Sequence, residues 1–480
     1  MTDTNPQEIA SNGKSRLWVR HSAVVFFGAL LMTWPALYNG YALVYPDSMT
    51  YIGQGATVAR ALFLHKTAGY YGMRSFIYSL GILPWHWKVT LWPVVAFQAL
   101  ITAYVLWLVL RSFVSRRTVS RYLVLVAILS AITSVSWYAS LVMPDFLGAL
   151  LYLCIYLLVF ARSTISRAQC VVVGVIAWWG ITAHATHLIL ATGMCILLLL
   201  LLTLRRPIMR GRLRPVCEIV AIVLLAAGAQ LALHTYLYGE PTLNGDRPPF
   251  LMSRIIADGP GAWYLQTHCP GAKFVICNYV GNFSEDSDDF IWGDKGIWQT
   301  ADEDTRKKLS EEEFRFVLAV IRAYPRAQLS KSAANFWGQL NAFGLWDLDA
   351  SDWVKEVFEE TLPGGLPRYL KSRQARNALP FDFFTNVHYW TVYASLVAIG
   401  GFTIVLWRRK PAQLRGLCLA IFPVVIANAF VTGAMSTVED RYEARIIWLV
   451  PLVAGSFVME WLRYRGEARE GQGNSPIGKE

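Results

Sequence analysis

Charge is what this chain has least of. Asp, Glu, Lys and Arg make up 16% of its 480 residues, against about 25% in a soluble domain. A chain that is also 55% hydrophobic is not an ordinary water-soluble protein. The common signatures of soluble enzymes are missing too. There is no G-x-x-x-x-G-K loop, no G-x-S-x-G elbow and no H-E-x-x-H pair. Metal spacing is absent from the seven cysteines. Cys154, Cys170, Cys195, Cys217 and Cys418 are scattered through apolar segments, and only Cys269 and Cys277 share a polar region where they could pair. The first twenty residues lack the charged, then apolar, then small pattern of a cleaved signal, so the first helix is expected to stay as an anchor. No internal repeat or low-complexity tract is evident.

What the chain does have is long apolar runs, several exceeding the roughly 18 residues that mark a transmembrane helix. They lie at 22–43, 89–110, 122–136, 145–161, 170–183, 187–204, 217–236, 387–407, 414–433 and 444–462. The run from Cys170 to Leu204 carries no charged residue. As one helix it would be about 52 Å long, against a hydrocarbon core of about 30 Å. Both its ends are basic, with Arg162 and Arg167 before it and Arg205, Arg206, Arg210, Arg212 and Arg214 after it. Two ends on one side require an even number of crossings, so a turn is expected near Ala183 to His187. The run from Arg121 to Arg162 splits by the same logic near SWYASLVMPD, with Asp145 at the turn.

The basic loops RSFVSRRTVSR and WRRKPAQLR and the tail RYRGEAR fall on the side of the N-terminus, as the positive-inside bias requires. The expected fold class is therefore an all-α polytopic membrane protein of about ten transmembrane helices. A small, mostly helical extracytoplasmic domain is expected at 237–387, where acidic residues outnumber basic ones. Residues 1–236 form a seven-helix module with a first outer loop at 44–88, and 388–480 supply the last helices and a cytoplasmic tail. The net charge of +11 is then a topology signal, not a nucleic-acid site.

Asp47, Asp145, His184, His187 and the segment STVEDRYEARI all fall on the outer side. Residues 48–64 repeat Tyr51, Gly55, Val58 and Leu62 at helical spacing and are expected to lie along the interface. Asp47 and Asp145 each have a plain reading as a helix cap. Together they place two carboxylates beside apolar helices on one face, where desolvation makes a better base. Arg441 and Arg445 run against the orientation bias, which points to an anionic partner such as a phosphate. Arg60, Lys66, Arg74 and Lys88 add to this outward basic set. His184 and His187 read more readily as hydrogen-bonded residues at a turn than as metal ligands. SEDSDD, from Ser284 to Asp289, reads as a solvated acidic loop. Arg326 to Phe343 is expected as a helix with Phe336, Trp337 and Leu340 on its apolar face.

Pro46-Asp47-Ser48 with Tyr51, Met143-Pro144-Asp145 and Asp440-Arg441-Tyr442, in this arrangement, make the chain resemble the integral-membrane glycosyltransferases of the GT-C fold. Bacterial aminoarabinose and lipid A sugar transferases are the nearest in feel, with protein O-mannosyltransferases further off. The resemblance implies a polyprenyl-phosphate sugar donor and a glycolipid or glycan acceptor hydroxyl. The reaction would take place on the outer face, with the periplasmic side of a bacterial inner membrane expected. It implies Asp47 as the base, Asp145 as the acid that positions the acceptor or assists, and Arg441 near the donor phosphate. The candidate substrate-binding set is Tyr51, Arg60, Lys66, Arg74, Lys88, His184, Asp440, Arg441, Tyr442 and Arg445. Ser48 stands where the O-mannosyltransferases carry a second acid, so a divalent cation is an option and not a requirement. A lipid-linked sugar transporter or flippase, or a surface-glycan polymerase or ligase, is the alternative.

Overall fold

The computed structural model describes residues 21–65, 74–113, 118–239, 241–243, 247–406 and 411–473. The charge-free run 170–204 breaks in its middle. Helix α9 ends at Ala183 and α10 begins at Ala185, with His184 extended between them at φ −154° and ψ 140°. The run 121–162 breaks as well, into α6 (Thr118–Ile132), a short α7 (Val135–Ser140) and α8 (Asp145–Val159). Before these come α1 (His21–Met32), α2 (Trp34–Asn39), α3 (Pro46–Leu64), α4 (Phe76–His86) and α5 (Trp92–Arg111). With α9 (Arg167–Ala183), α10 (Ala185–Thr203) and α11 (Leu213–Tyr238) they complete the N-terminal bundle.

The chain is thus a helical membrane protein by composition and helix length. Among the described residues six helices are long and apolar enough to cross a bilayer: α5, α10, α11 and three C-terminal spans at Phe381–Val405, Ala412–Ala434 and Asp440–Gly466. The shorter apolar helices α1, α6, α8 and α9 coincide with the remaining runs. Contacts sort the ends. Arg162 pairs with Glu218 at the start of α11, and the Arg212 guanidinium donates to Val159 O, so the loops after α8 and α10 share the basic end of the bundle. Ser75 Oγ and Gln230 Nε2 both donate to Thr182 O, which gathers the loop before α4 and the top of α9 and α11 at the opposite end.

The polar region 237–387 divides in two. Its first part has its own apolar core, with Met252, Ile256, Leu265, Phe290, Trp298, Leu309 and Phe316 buried together. That part comprises α12 (Phe250–Ala257), α13 (Pro260–His268), α14 (Ser287–Trp292), α15 (Ile297–Thr300) and α16 (Glu303–Ala323). Cys269 and Cys277 are disulfide-bonded beside it. The second part joins the membrane body, because Phe343, Leu348, Phe358 and Tyr369 belong to the main core. It holds α17 (Pro325–Asn341), α18 (Asp352–Thr361) and α19 (Leu366–Tyr369), and leads into α20 (Phe381–Val405). The expected apolar face of α17 holds in part, since Phe336 meets Phe430 and Leu340 packs against the main core. Trp337 is 66% exposed, while Gln328 and Gln339 are buried. The helix also packs on polar partners: Gln328 donates to Asp258, and Gln339 exchanges hydrogen bonds with the Glu439 backbone. Helices α21 (Ala412–Ala429), α22 (Asp440–Ile447) and α23 (Leu449–Gly473) close the chain.

Candidate functional site

An extended stretch brings the two loop acids to one end of the bundle. Leu43 N–H donates to Ser140 O and Val142 N–H to Leu43 O, which makes an isolated parallel bridge between the chain before Asp47 and the chain before Asp145. Gln374 clamps the other edge, its side chain bonding both the N–H and the C=O of Val44. Helix α3 starts from this clamp. Pro46 fills the first helical position and Ser48 Oγ accepts from Tyr45 N–H, so the helix start is satisfied without Asp47. Asp145 is the first residue of α8, after an N-cap Pro144. The capping role is therefore not what either carboxylate does.

Each acid meets an arginine instead. Asp47 Oδ1 accepts from Arg74 Nη2 at 2.6 Å, while its Oδ2 lies 3.6 Å from Arg441 Nη1, beyond hydrogen-bond range. Asp145 Oδ1 accepts from Arg445 Nη1 at 3.2 Å, with both side chains sealed from solvent. Arg441 and Arg445 are four residues apart on α22 and share its face. Their guanidiniums lie over the Tyr442 ring at 5.0 and 5.3 Å, and Arg441 also covers Tyr45 at 4.1 Å. The result is a row of Arg74, Asp47, Arg441, Tyr442, Arg445 and Asp145. Tyr51 is buried against Tyr78 within reach of both acids' charge.

The scaffold fixes these side chains from behind. Gln54 Nε2 donates to Arg74 O, Ser75 O and Ser79 Oγ, which pins the backbone that carries Arg74. Gly55 permits α3 and α4 to touch here, since a Cβ would stand 2.7 Å from Ser79 O. The Arg441 backbone is held from both sides: its N–H donates to Asp347 Oδ2 at 2.7 Å, and its C=O accepts from Tyr138 at 3.1 Å. Asn428 bonds Glu443 and Arg445 together. Asp440 does not join the row. Its carboxylate accepts from Gly344 N–H at 2.6 Å and anchors that loop.

His184 belongs to the neighbourhood as a cap, its Nδ1 accepting from Thr186 N–H at 3.2 Å. Burial and then the nearby Arg445 hold it well below its ordinary pKa, hence neutral. His187 bonds Gly180 O. Arg60 and Lys88 are exposed, and neither has an ion-pair partner among the described residues; Lys66 lies outside those residues. SEDSDD is not wholly solvated, because α14 carries Asp288 and Trp292 on one face toward the row. Trp292 stacks on Arg74 at 5.7 Å. Burial and then Asp286 push Asp288 up to about 6, against the pull of Arg441. Glu439, one residue before α22, is pushed up to about 8 by burial and by the adjacent Asp347. Tyr45, Asp288, Trp292, Asp347 and Asn428 carry no local sequence signal for this site. The acidic run and the charge-rich STVED stretch were the only hints.

No family model matches the chain, and no curated protein or solved structure matches it. The geometry must therefore speak for itself. Among the described residues no three His, Cys, Asp or Glu side chains converge as metal ligands would. Asp47 and Asp145 each face a guanidinium, so both carboxylates are charge-paired. The row can bind an anion. Arg441 is 6% exposed, and its Nε and Nη1 find no hydrogen-bond acceptor among the described residues. A guanidinium has five donors in a planar fork that suits phosphate.

Proposed function

We propose that the chain is a membrane glycosyltransferase that moves a sugar from a polyprenyl-phosphate donor to a hydroxyl of a glycolipid or glycan on the outer face. The observation that carries this reading is the pairing of a buried Arg441 fork, rich in unused donors, with an Asp47 carboxylate that has one oxygen committed and one uncommitted. The donor phosphate would sit on Arg441, with Arg74 and Arg445 adding positive charge to either side. It would take over Arg441 from Asp47, whose attraction at 3.6 Å is the weaker one. Arg74 would keep Oδ1 of Asp47 in place.

The step balances simply. The acceptor oxygen forms a bond to the anomeric carbon as the bond from that carbon to the phosphate oxygen breaks. The electron pair leaves with the phosphate, where the guanidiniums stabilise it. Oδ2 of Asp47 takes the hydroxyl proton. Asp145 is a positioning residue in this scheme, since it acts through Arg445. Tyr51 and the stacked Tyr45 and Tyr442 supply the flat, partly apolar walls that suit a sugar ring.

The test is mass spectrometry of membrane glycolipids and surface glycans from cells with and without the gene. Loss of one sugar from a defined lipid or glycan, with accumulation of the polyprenyl-phosphate sugar, is expected. Unchanged glycans with sugar-lipid accumulating on the cytoplasmic leaflet would contradict transfer and favour a flippase.

A further inference from the structure

A second basic feature lies at the opposite end of the bundle, among the loops where positive charge gathers. A groove of about 540 Å³ opens between the C-terminal end of α10 and the N-terminal end of α21. Leu201, Ile208, Leu419 and Phe422 give it an apolar wall, and Arg206 and Arg415 stand at its rim. The surface of α10 beside it is apolar and exposed at Ile196, Leu200 and Leu204, as hydrocarbon-facing surface should be. Some cations at this end are neutralised within the chain. Arg162 and Arg214 both pair with Glu218, and Arg463 pairs with Glu460. Arg206 and Arg415 have no carboxylate partner among the described residues. Two guanidiniums without a carboxylate partner, lining an otherwise apolar groove at the end of membrane-length helices, match one kind of molecule, a phosphate with an acyl chain attached.

We propose that this groove binds one anionic phospholipid, its phosphate between Arg206 and Arg415 and an acyl chain along Leu419 and Phe422. The occupant is a lipid and not free phosphate, because the lining is apolar apart from Arg206 and Arg415. This inference is independent of the transferase reading. Bound there, the lipid ties α10 to α21, and so joins the N-terminal bundle to the helices that lead to Arg441 and Arg445.

Native mass spectrometry of the full chain in neutral detergent tests it, with dioleoylphosphatidylglycerol, dioleoylphosphatidylcholine and inorganic phosphate as probes. The wild type is expected to retain phosphatidylglycerol in preference to phosphatidylcholine. Arg206→Gln combined with Arg415→Gln should weaken phosphatidylglycerol retention roughly 30-fold, from two lost basic contacts. Leu419→Trp, which fills the groove and spares both arginines, should also lose the lipid. Should the double variant not fold, judged by its unfolding temperature, the Leu419→Trp result decides. Equal retention of the two lipids, undiminished phosphatidylglycerol in either variant, or displacement of the lipid by millimolar inorganic phosphate would each overturn the proposal.

Discussion

Arg445 Nη1 lies 3.2 Å from Asp145 Oδ1, although 300 residues separate them and both side chains are sealed from solvent. A buried ion pair is weak proof of stability, but breaking one half leaves an uncompensated charge that costs about 3–5 kcal/mol. Asp145→Ala is therefore expected to destabilise strongly. Adding Arg445→Met to it should restore much of the loss. Unfolding midpoints of the purified chain in detergent check this, and an Asp145→Ala protein as stable as the wild type would show that the pair contributes nothing.

Gln54 is expected to act on Arg74 at a distance from any substrate. Gln54→Leu removes the donor to Arg74 O, Ser75 O and Ser79 Oγ, at a stability cost of about 1–3 kcal/mol for buried groups left unpaired. Loosening Arg74 should weaken binding of a polyprenyl-phosphate sugar by about tenfold, a change of roughly 1.4 kcal/mol. Gln54→Glu, which has no N–H donor, should behave like Gln54→Leu. Donor titrations that match the wild type in both variants would separate Gln54 from the site.

Glu439 should make stability fall as pH rises. Its folded value near 8 stands above the ordinary 4.5. Between those two values the folded chain holds a proton that the unfolded chain has already released. Stability therefore declines through that window and levels off above it. Glu439→Gln should make the decline shallower across that window, with Asp288, whose window runs from 3.8 to about 6, among the groups that still contribute. Thermal inactivation rates measured from pH 5 to pH 9 read this directly. An identical profile in Glu439→Gln would place the titrating group elsewhere.

Cys269 and Cys277 lie beside the apolar core of α12 to α16 and are bonded to each other. Peptide mapping without reduction should recover the two linked. Alkylation of both thiols in natively isolated, denatured protein would refute the pairing.

The helix breaks at His184 and before Asp145 were legible because they follow from a length limit. A charge-free run that is too long for one crossing, with basic residues at both ends, must turn. The roles of Asp47 and Asp145 were not legible locally. An Asp beside Pro at a helix start reads as a cap, and nothing nearby announces Arg74 or, 300 residues on, Arg445. Helix α17 was legible in part. Apolar periodicity picked out Phe336 and Leu340, but it carries no sign that the helix also packs through Gln328 and Gln339 onto a carboxylate and a backbone segment. Asp288 looked solvated in an acidic run because the burial and the Arg441 charge that reshape it come from distant parts of the chain.

The transferase account rests most heavily on Asp47. Asp47→Asn keeps the size of the side chain and can still orient toward Arg74, but it cannot accept a proton at Oδ2. It also removes the negative charge that competes for Arg441. Donor binding should therefore be unchanged or tighter, and unfolding should shift only modestly. Sugar transfer from the polyprenyl-phosphate donor to membrane acceptors should fall by about 10²-fold or more. Transfer at the wild-type rate in the Asp47→Asn protein would contradict the account.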